Sequence, residues 1–327
     1  MGGAAEDVDI FGPVVADLAT VEAALRDEIE RDPEVVAAPM ADLFAAGGKR
    51  LRPALVLLSA RNGTYELDTL IPAAMSVEFT HAATLVHDDV IDRASLRRGR
   101  PTVAASLGDE PAIVIGDFYF AKAYEHAART RSTEVVTLLA RTVMDICAGE
   151  VRQQEIRYLY STGIEEYLER IEAKTATLLA ACCLIGALLG RLSEVERLAL
   201  YEYGLHLGLA FQIADDVLDY LGSEDEIGKP IGQDIAEGFA TLPLLIARQD
   251  KSAAAQLGRL LHDGRKLSGQ DAAEVVKVVR ASGASERALE RAREHASDAR
   301  QKLDNVSPGE ARDALAALTD YVVTRKL

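Results

Sequence analysis

Tryptophan is absent from this 327-residue chain, cysteine occurs three times, proline ten times, and aromatic residues make up only 5%. Three cysteines (Cys147, Cys182 and Cys183, two of them adjacent) cannot build a disulfide framework, and no CxxC or Cys/His spacing offers a zinc site. They read as core filler in a reducing compartment. Positive charge is also short: 36 Lys and Arg against 52 Asp and Glu leave a formal charge of −16. That balance lacks the basic face a polyanion needs and excludes nucleic acid as a partner, so any phosphate-bearing substrate must be neutralised locally. The longest apolar run, Leu178 to Gly190, lies between Lys174 and Arg191. It is shorter than the ~20 residues of a membrane span and suits a buried core helix. The opening MGGAAEDVDI is acidic and lacks an apolar stretch, so no secretory signal is expected. A cytoplasmic protein with no membrane span is predicted.

Apolar–polar alternation is scarce too, which leaves little room for strands. Ala, Leu, Glu and Arg are abundant and apolar residues recur at helical spacing. Helices are predicted over 14–31, 34–46, 53–61, 69–92, 110–129, 133–160, 164–190, 193–221, 240–249, 269–281, 285–304 and 309–325. Pro53, Pro72 and Pro111 fall in predicted first turns, where a missing N–H is tolerated. Arg93–Ser106 and Gly222–Gly238 combine Gly, Pro and charge and read as loops. With no repeat and no low-complexity linker, the expected fold class is all-α. The expected organisation is one domain over 1–327, with a motif-bearing core at about 40–250 and more polar peripheral helices over 251–327.

Two acidic clusters stand out. LVHDDVID places Asp88, Asp89 and Asp92 at the end of one apolar helix, and FQIADDVLD places Asp215, Asp216 and Asp219 at the end of another. In each, the first and last aspartates are four residues apart and share a helix face. His81, Thr84, Asp88 and Asp92 fall on one stripe; Gln212, Asp215, Asp216 and Asp219 fall on a second. Carboxylates crowded at a helix C-terminus repel one another and oppose the helix dipole, so they require cations. Hard oxygen donors of this kind suit Mg²⁺, which completes its shell with water and phosphate oxygens.

Basic residues cluster beside them. GGKRLRP carries Lys49, Arg50 and Arg52 just ahead of a helix N-terminus, where exposed N–H groups and Arg side chains hold anions. LRRGRPT adds Arg97, Arg98 and Arg100 directly after the first acidic cluster. Lys174, Thr175 and Lys229 are further donors. The two sets together imply two anionic substrates, one diphosphate held through Mg²⁺ and one held directly. Neither GxxxxGK[ST] nor GxGxxG occurs, and no nucleophile triad is evident. His87 and His206 read as ordinary helix histidines.

GGKRLRP, HDDVID with LRRGRPT, GDFYFAKAY, EAKTATLLAA, FQIADDVLD and GKPIGQD occur in a family order. The sequence resembles the trans-isoprenyl diphosphate synthases (polyprenyl synthetase family) over about residues 40–250. The resemblance implies a single large helical bundle around a central cavity, three Mg²⁺ ions and a homodimer. It assigns Asp88, Asp89, Asp92, Asp215 and Asp219 to Mg²⁺ and thereby to the allylic diphosphate, supported by Asp216. Arg97, Lys174 and Lys229 would touch that diphosphate, assisted by Thr175 and Gln212. Lys49, Arg52, His81 and Arg98 would hold isopentenyl diphosphate. The implied chemistry is head-to-tail condensation giving an all-trans polyprenyl diphosphate.

One departure is visible: EGFATLP carries Phe239 where the family often has Lys. Chain length is expected to follow from Ala83 and Thr84, which sit roughly 6–7.5 Å before Asp88 along the helix. Short-chain members typically carry an aromatic residue there and this chain does not, so a product longer than C20 is expected. Geranylgeranyl diphosphate synthase is the alternative within the class. A terpene cyclase is disfavoured by the full second DDxxD and the isopentenyl-site cations. A non-catalytic subunit of a heteromeric synthase is disfavoured by two intact aspartate motifs.

Overall fold

Leucine- and alanine-rich segments coil into helices along almost the whole chain. A computed structural model describes residues 10–45, 50–221 and 231–324. By internal contacts the chain forms two units, 1–139 with 182–200 and 303–318, and 140–181 with 201–302 and 319–327.

In the first unit, α1 (Val15–Glu30), α2 (Glu34–Ala45) and α3 (Leu51–Ala60) precede α4 (Leu67–Ile91), the helix that ends in the first acidic cluster. Leu70, Ala73, Ala74, Val77, Phe79 and Ala83 of α4 are all buried. A helix apolar on several sides must be enclosed by others; α4 packs along α6 (Asp109–Arg129) and α3. Buried Lys122 of α6 ties it to α1 and the turn after it, 2.6 Å from Asp32 and 3.3 Å from Glu28.

The segment expected to be a loop after α4 contains the only strands among the described residues, β1 (Leu96–Arg97) and β2 (Arg100–Pro101). Arg98 (φ 50°) and Gly99 (φ 76°) supply the two positive φ values that a type I′ hairpin turn requires. Two residues per strand carry no alternation to read, and Arg at the first turn position conceals the signal. A short α5 (Val103–Leu107) follows, capped by Thr102, whose Oγ1 accepts from the Ala105 N–H. Helix α4 also begins two residues earlier than expected. Pro72 therefore lies in its second turn, where the bypassed carbonyl belongs to solvent-exposed Asp68.

In the second unit, α7 (Thr133–Glu155) runs in from the first, ending five residues short of the expected 160. Tyr158 explains this: it adopts φ 65° and donates its N–H to the Gly238 carbonyl. Helix α8 (Ile164–Ile171) continues through a π-helical turn (Glu172–Ala176) into α9 (Thr177–Leu189). That 26-residue helix is longer than its apolar run, and by length and composition it could cross a membrane. However, 61% of its most apolar window is buried within the protein, as in a core helix. Helix α10 (Glu194–Leu221) ends in the second acidic cluster; then come α11 (Gln233–Glu237), α12 (Leu242–Ala247), α13 (Lys251–Leu260), α14 (Gly269–Ala281), α15 (Ala284–Lys302) and α16 (Glu310–Thr324). Helix α13 was not expected from its polar sequence. Its start is set by Asp250, whose carboxylate accepts from the Ser252 and Ala253 N–H groups. Tyr167, Ile213, Val217, Tyr220, Leu244, Val275 and Ala292 form part of this unit's core. Of the three cysteines, Cys182 and Cys183 are buried as expected, but Cys147 is exposed on α7 and is not core filler.

Candidate active site

The C-terminal turn of α4 carries Asp88 and half-buried Asp92 one turn apart, while Asp89, a residue on, points inward and is only 2% exposed. A buried carboxylate at the negative end of a helix dipole needs a cation. Arg97 provides it from β1, with Nε 3.0 Å from both Asp89 oxygens and a terminal nitrogen 2.8 Å from one. The hairpin thus anchors Arg97 on Asp89, which fixes the base of the neighbouring Arg98.

Behind this, His81 of α4 is flanked by Arg50, Arg52, Arg97 and Arg98, and its pKa lies well below the usual 6.5 through burial and then the repulsion of those four cations. Arg52 is also pulled down, by burial first and by Arg98 in part, with Glu78 opposing. Arg50 is occupied elsewhere: it bonds Glu78 at 2.8 Å and the Phe44 carbonyl at 3.2 Å, from a left-handed backbone (φ 49°) at the start of α3. Among the described residues, neither Arg52 nor Arg98 has a carboxylate within ion-pair distance. A neutral histidine among under-neutralised arginines can cradle an anion. Lys49, expected here, lies outside the described residues.

In the second unit, the π-helical turn inserts an extra residue where Lys174 and Thr175 stand, turning both away from a regular helical row. Lys174 Nζ lies 2.6 Å from Glu150, and Thr175 donates to Gln212 Oε1 at 2.8 Å. Glu150 is raised by burial, but Lys174 and the Gln153 and Gln154 amides outweigh this and leave it below the usual carboxylate range. Gln212 passes the chain on, donating to Asp216 Oδ1 at 2.7 Å, while the Tyr167 hydroxyl donates to Oδ2 at 2.8 Å. Asp216 is nevertheless pushed up to about 6 because it is buried, with Gln212, Tyr167 and Arg170 pulling the other way. Asp219 is buried as well; its carboxylate accepts the Gln233 and Asp234 N–H groups at 3.2 and 3.0 Å and holds the start of α11 to the end of α10. Asp215 is half-buried. Lys229 lies outside the described residues.

Glu150, Tyr167 and Arg170 were not singled out by sequence, since their partners Lys174, Asp216 and the Ala240 carbonyl lie 24, 49 and 70 residues away. Arg157 is another. Its guanidinium lies over the Phe239 ring at 5.1 Å and donates to the Glu237 carbonyl at 2.7 Å, placing a cation against the residue that stands where the family often has Lys.

The donor sets fit Mg²⁺. Asp88, Asp92 and Asp215 are half-buried carboxylates, and burial makes the charge of Asp216 costly, so a nearby cation would stabilise it.

An all-α protein with an acidic helix end in each unit, one beside an arginine–histidine cradle and one beside a lysine-bearing π turn, is a diphosphate-handling enzyme of the isoprenoid synthase type. The chain belongs to the polyprenyl synthetase family of trans-isoprenyl diphosphate synthases, whose model matches residues 33–279. It is 38% identical over 307 residues to heptaprenyl diphosphate synthase component 2 of Geobacillus stearothermophilus, covering 93% of this chain and 95% of that one. It is 34% identical to solanesyl diphosphate synthase 1 of Arabidopsis thaliana, over 97% of this chain and 79% of that one. Among solved structures, a polyprenyl synthase from Caulobacter crescentus, complexed with calcium and isoprenyl diphosphate, superposes with a TM-score of 0.92 at 37% identity over the full length of both. A decaprenyl diphosphate synthase from Rhodobacter capsulatus gives 0.89 at 34%, over 97% and 98% of the two chains.

Proposed function

We propose that this protein condenses isopentenyl diphosphate head-to-tail onto an allylic diphosphate to make an all-trans polyprenyl diphosphate longer than C20. The observation that carries this is the pairing of carboxylate-rich helix ends with a separate arginine–histidine cradle. One substrate then sits on metal-bound carboxylates and the other directly on cations. Asp88, Asp89, Asp92, Asp215 and Asp219, with Asp216 beside them, are assigned to Mg²⁺ and the allylic diphosphate. Arg52, His81 and Arg98, with Lys49, are assigned to isopentenyl diphosphate. When bound, Mg²⁺ supplies Lewis-acid stabilisation, of several kcal/mol, to the departing diphosphate oxygen.

The chain's own residues do the positioning. Lys174 is held by Glu150, and Thr175 by a hydrogen-bonded line through Gln212 to Asp216, so the π turn orients donors before substrate arrives. Arg97 is positioned by Asp89, within reach of the same acidic cluster, and with Lys229 is assigned to the allylic diphosphate. Neutral His81 can donate to a diphosphate oxygen without adding to the repulsion among its arginines. The allylic C–O bond breaks, the isopentenyl double bond attacks the resulting cation, and a proton is lost. Three Mg²⁺ ions, a homodimer, a single-domain bundle and a cytoplasmic location complete the reading, supported by family resemblance.

The chain is tested alone, with Mg²⁺, labelled isopentenyl diphosphate and each allylic primer in turn, followed by chain-length separation. Polyprenyl diphosphates longer than C20 are expected; a C20 product instead would point to geranylgeranyl synthase. A relative named component 2 gives a second reading, in which turnover appears only with a second subunit. Inactivity alone together with activity on adding that subunit would establish it.

A further inference from the structure

Away from both acidic clusters, α10 and α15 bring together three side chains that the proposed reaction does not use. His206 of α10 and His295 of α15 face each other with their Nδ1 atoms 3.1 Å apart. Asp298, one turn after His295 on the same face of α15, puts Oδ2 3.9 Å from His206 Nδ1. One ligand atom from each residue can be chosen so that all three lie within 4.8 Å of one another. At about 100° per residue, Asp216 and Asp219 fall roughly 280° and 220° around α10 from His206, so this cluster occupies another face of the helix.

From this geometry we propose that His206, His295 and Asp298 form a binding site for a transition-metal ion of the zinc class, which staples α10 to α15. Two nitrogens on one tetrahedral zinc, each at 2.0–2.1 Å, stand about 3.3–3.4 Å apart. The two Nδ1 atoms already hold nearly that spacing. In the hydrogen-bonded pair one Nδ1 carries a proton and the other accepts it. Metal binding moves that proton to Nε2 of the same ring, leaving both Nδ1 lone pairs for the ion with no net proton released. Both imidazoles are shifted below the ordinary histidine value by burial, and the carboxylate of Asp298 does not reverse this, so they are neutral and ligand-ready at pH 7. The other charged groups that bear on the pair are Glu202 and Lys302 (joined to each other at 2.9 Å), Glu294 and Arg291.

Imidazole donors separate this site chemically from the aspartate clusters. Two nitrogens and one carboxylate favour Zn²⁺ or Co²⁺ over Mg²⁺, which prefers oxygen throughout. Asp298 is 54% exposed on its side chain and gives the ion a way in, and water can fill the fourth position. His206 and His295 are 89 residues apart in sequence. A metal bridge between them closes a long loop and fixes the helix that carries the second acidic cluster.

The probe is Zn²⁺ alone, with Co²⁺ as its spectroscopic substitute, titrated into the full-length protein in excess Mg²⁺ so that carboxylate sites are already filled. One equivalent of Zn²⁺ is expected to bind. Co²⁺ should give an intense tetrahedral d–d spectrum, and Zn²⁺ should raise the melting temperature by roughly 3–6 °C at saturation. His206→Ala should abolish the tight equivalent. Asp298→Asn, at an exposed position that cannot endanger the fold, should weaken it by at least about tenfold, the loss incurred even by removing an outer-sphere partner. Both variants should lose the zinc-dependent rise in melting temperature. The site is refuted if wild type takes up no zinc above Mg²⁺, if both variants bind it unchanged, or if Co²⁺ shows only the weak spectrum of oxygen ligation.

Discussion

At the scale of single residues, the arginine–histidine cradle makes a claim about charge. His81 stays neutral in the folded protein because burial and four nearby arginines disfavour the imidazolium, whereas in the unfolded chain it titrates near 6.5. The unfolded state therefore binds more protons as pH falls below about 6.5, and stability drops with it. His206 and His295 are shifted in the same direction and add to the effect, and together the three histidines outweigh Asp216, whose raised carboxyl works the other way below about pH 6. The melting temperature measured from pH 7.5 down to 5 should fall, and His81→Gln should flatten the curve; an unchanged slope would show that His81 is not held neutral. The aspartates make the complementary claim. Asp88→Ala and Asp215→Ala should each lower turnover at saturating Mg²⁺ by at least about a hundredfold, since loss of ~3 kcal/mol of leaving-group stabilisation amounts to that. Near-wild-type turnover in either variant contradicts a metal role for it.

At the scale of elements, what could be read from sequence was what repeats along a helix. Asp88 and Asp92, or Gln212 and Asp216, declare themselves by their four-residue spacing, α6 and α10 by their apolar periodicity, and α4 by the length of its apolar sequence. What could not be read depended on partners distant in sequence. Tyr167 reaches Asp216 across 49 residues, and Arg157 reaches the Glu237 carbonyl across 80. The π turn hides because one inserted residue changes no composition. Its fit against α10 is nonetheless strict: a Cβ on Gly208 would lie 2.4 Å from the Ala176 Cα and 2.8 Å from its Cβ. Gly208→Val should thus force α10 away from the turn, at about 1–3 kcal/mol of stability for overpacking. It should also stretch the Thr175–Gln212 hydrogen bond. A raised KM for the allylic substrate, with the KM for isopentenyl diphosphate little changed, would locate the damage there; equal changes in both would mean that the turn has no special part in allylic binding.

At the scale of the whole molecule the question is where chain growth stops. Ala83 and Thr84, five and four residues before Asp88, differ in surroundings: Ala83 is fully enclosed, while Thr84 is half-buried with its hydroxyl donating to the His81 carbonyl at 2.7 Å. A phenyl ring at Ala83 has no space to enter without displacing neighbours, so Ala83→Phe acts first on the fold, costing about 1–3 kcal/mol. Thr84 keeps part of its surface open one turn before Asp88, on the same stripe as His81, Asp88 and Asp92, and a ring there can obstruct a growing prenyl tail while α4 stays intact. Each prenyl unit that grows into apolar surroundings gains roughly 25 cal/mol per Å² buried, and the obstruction removes that gain from the first blocked unit onward. Thr84→Phe is therefore expected to shift the product distribution to shorter chains at near-wild-type melting temperature, whereas Ala83→Phe lowers the melting temperature whatever it does to the product. If Thr84→Phe leaves the distribution unchanged, the tail does not pass this face of α4, and chain length is set elsewhere in the protein.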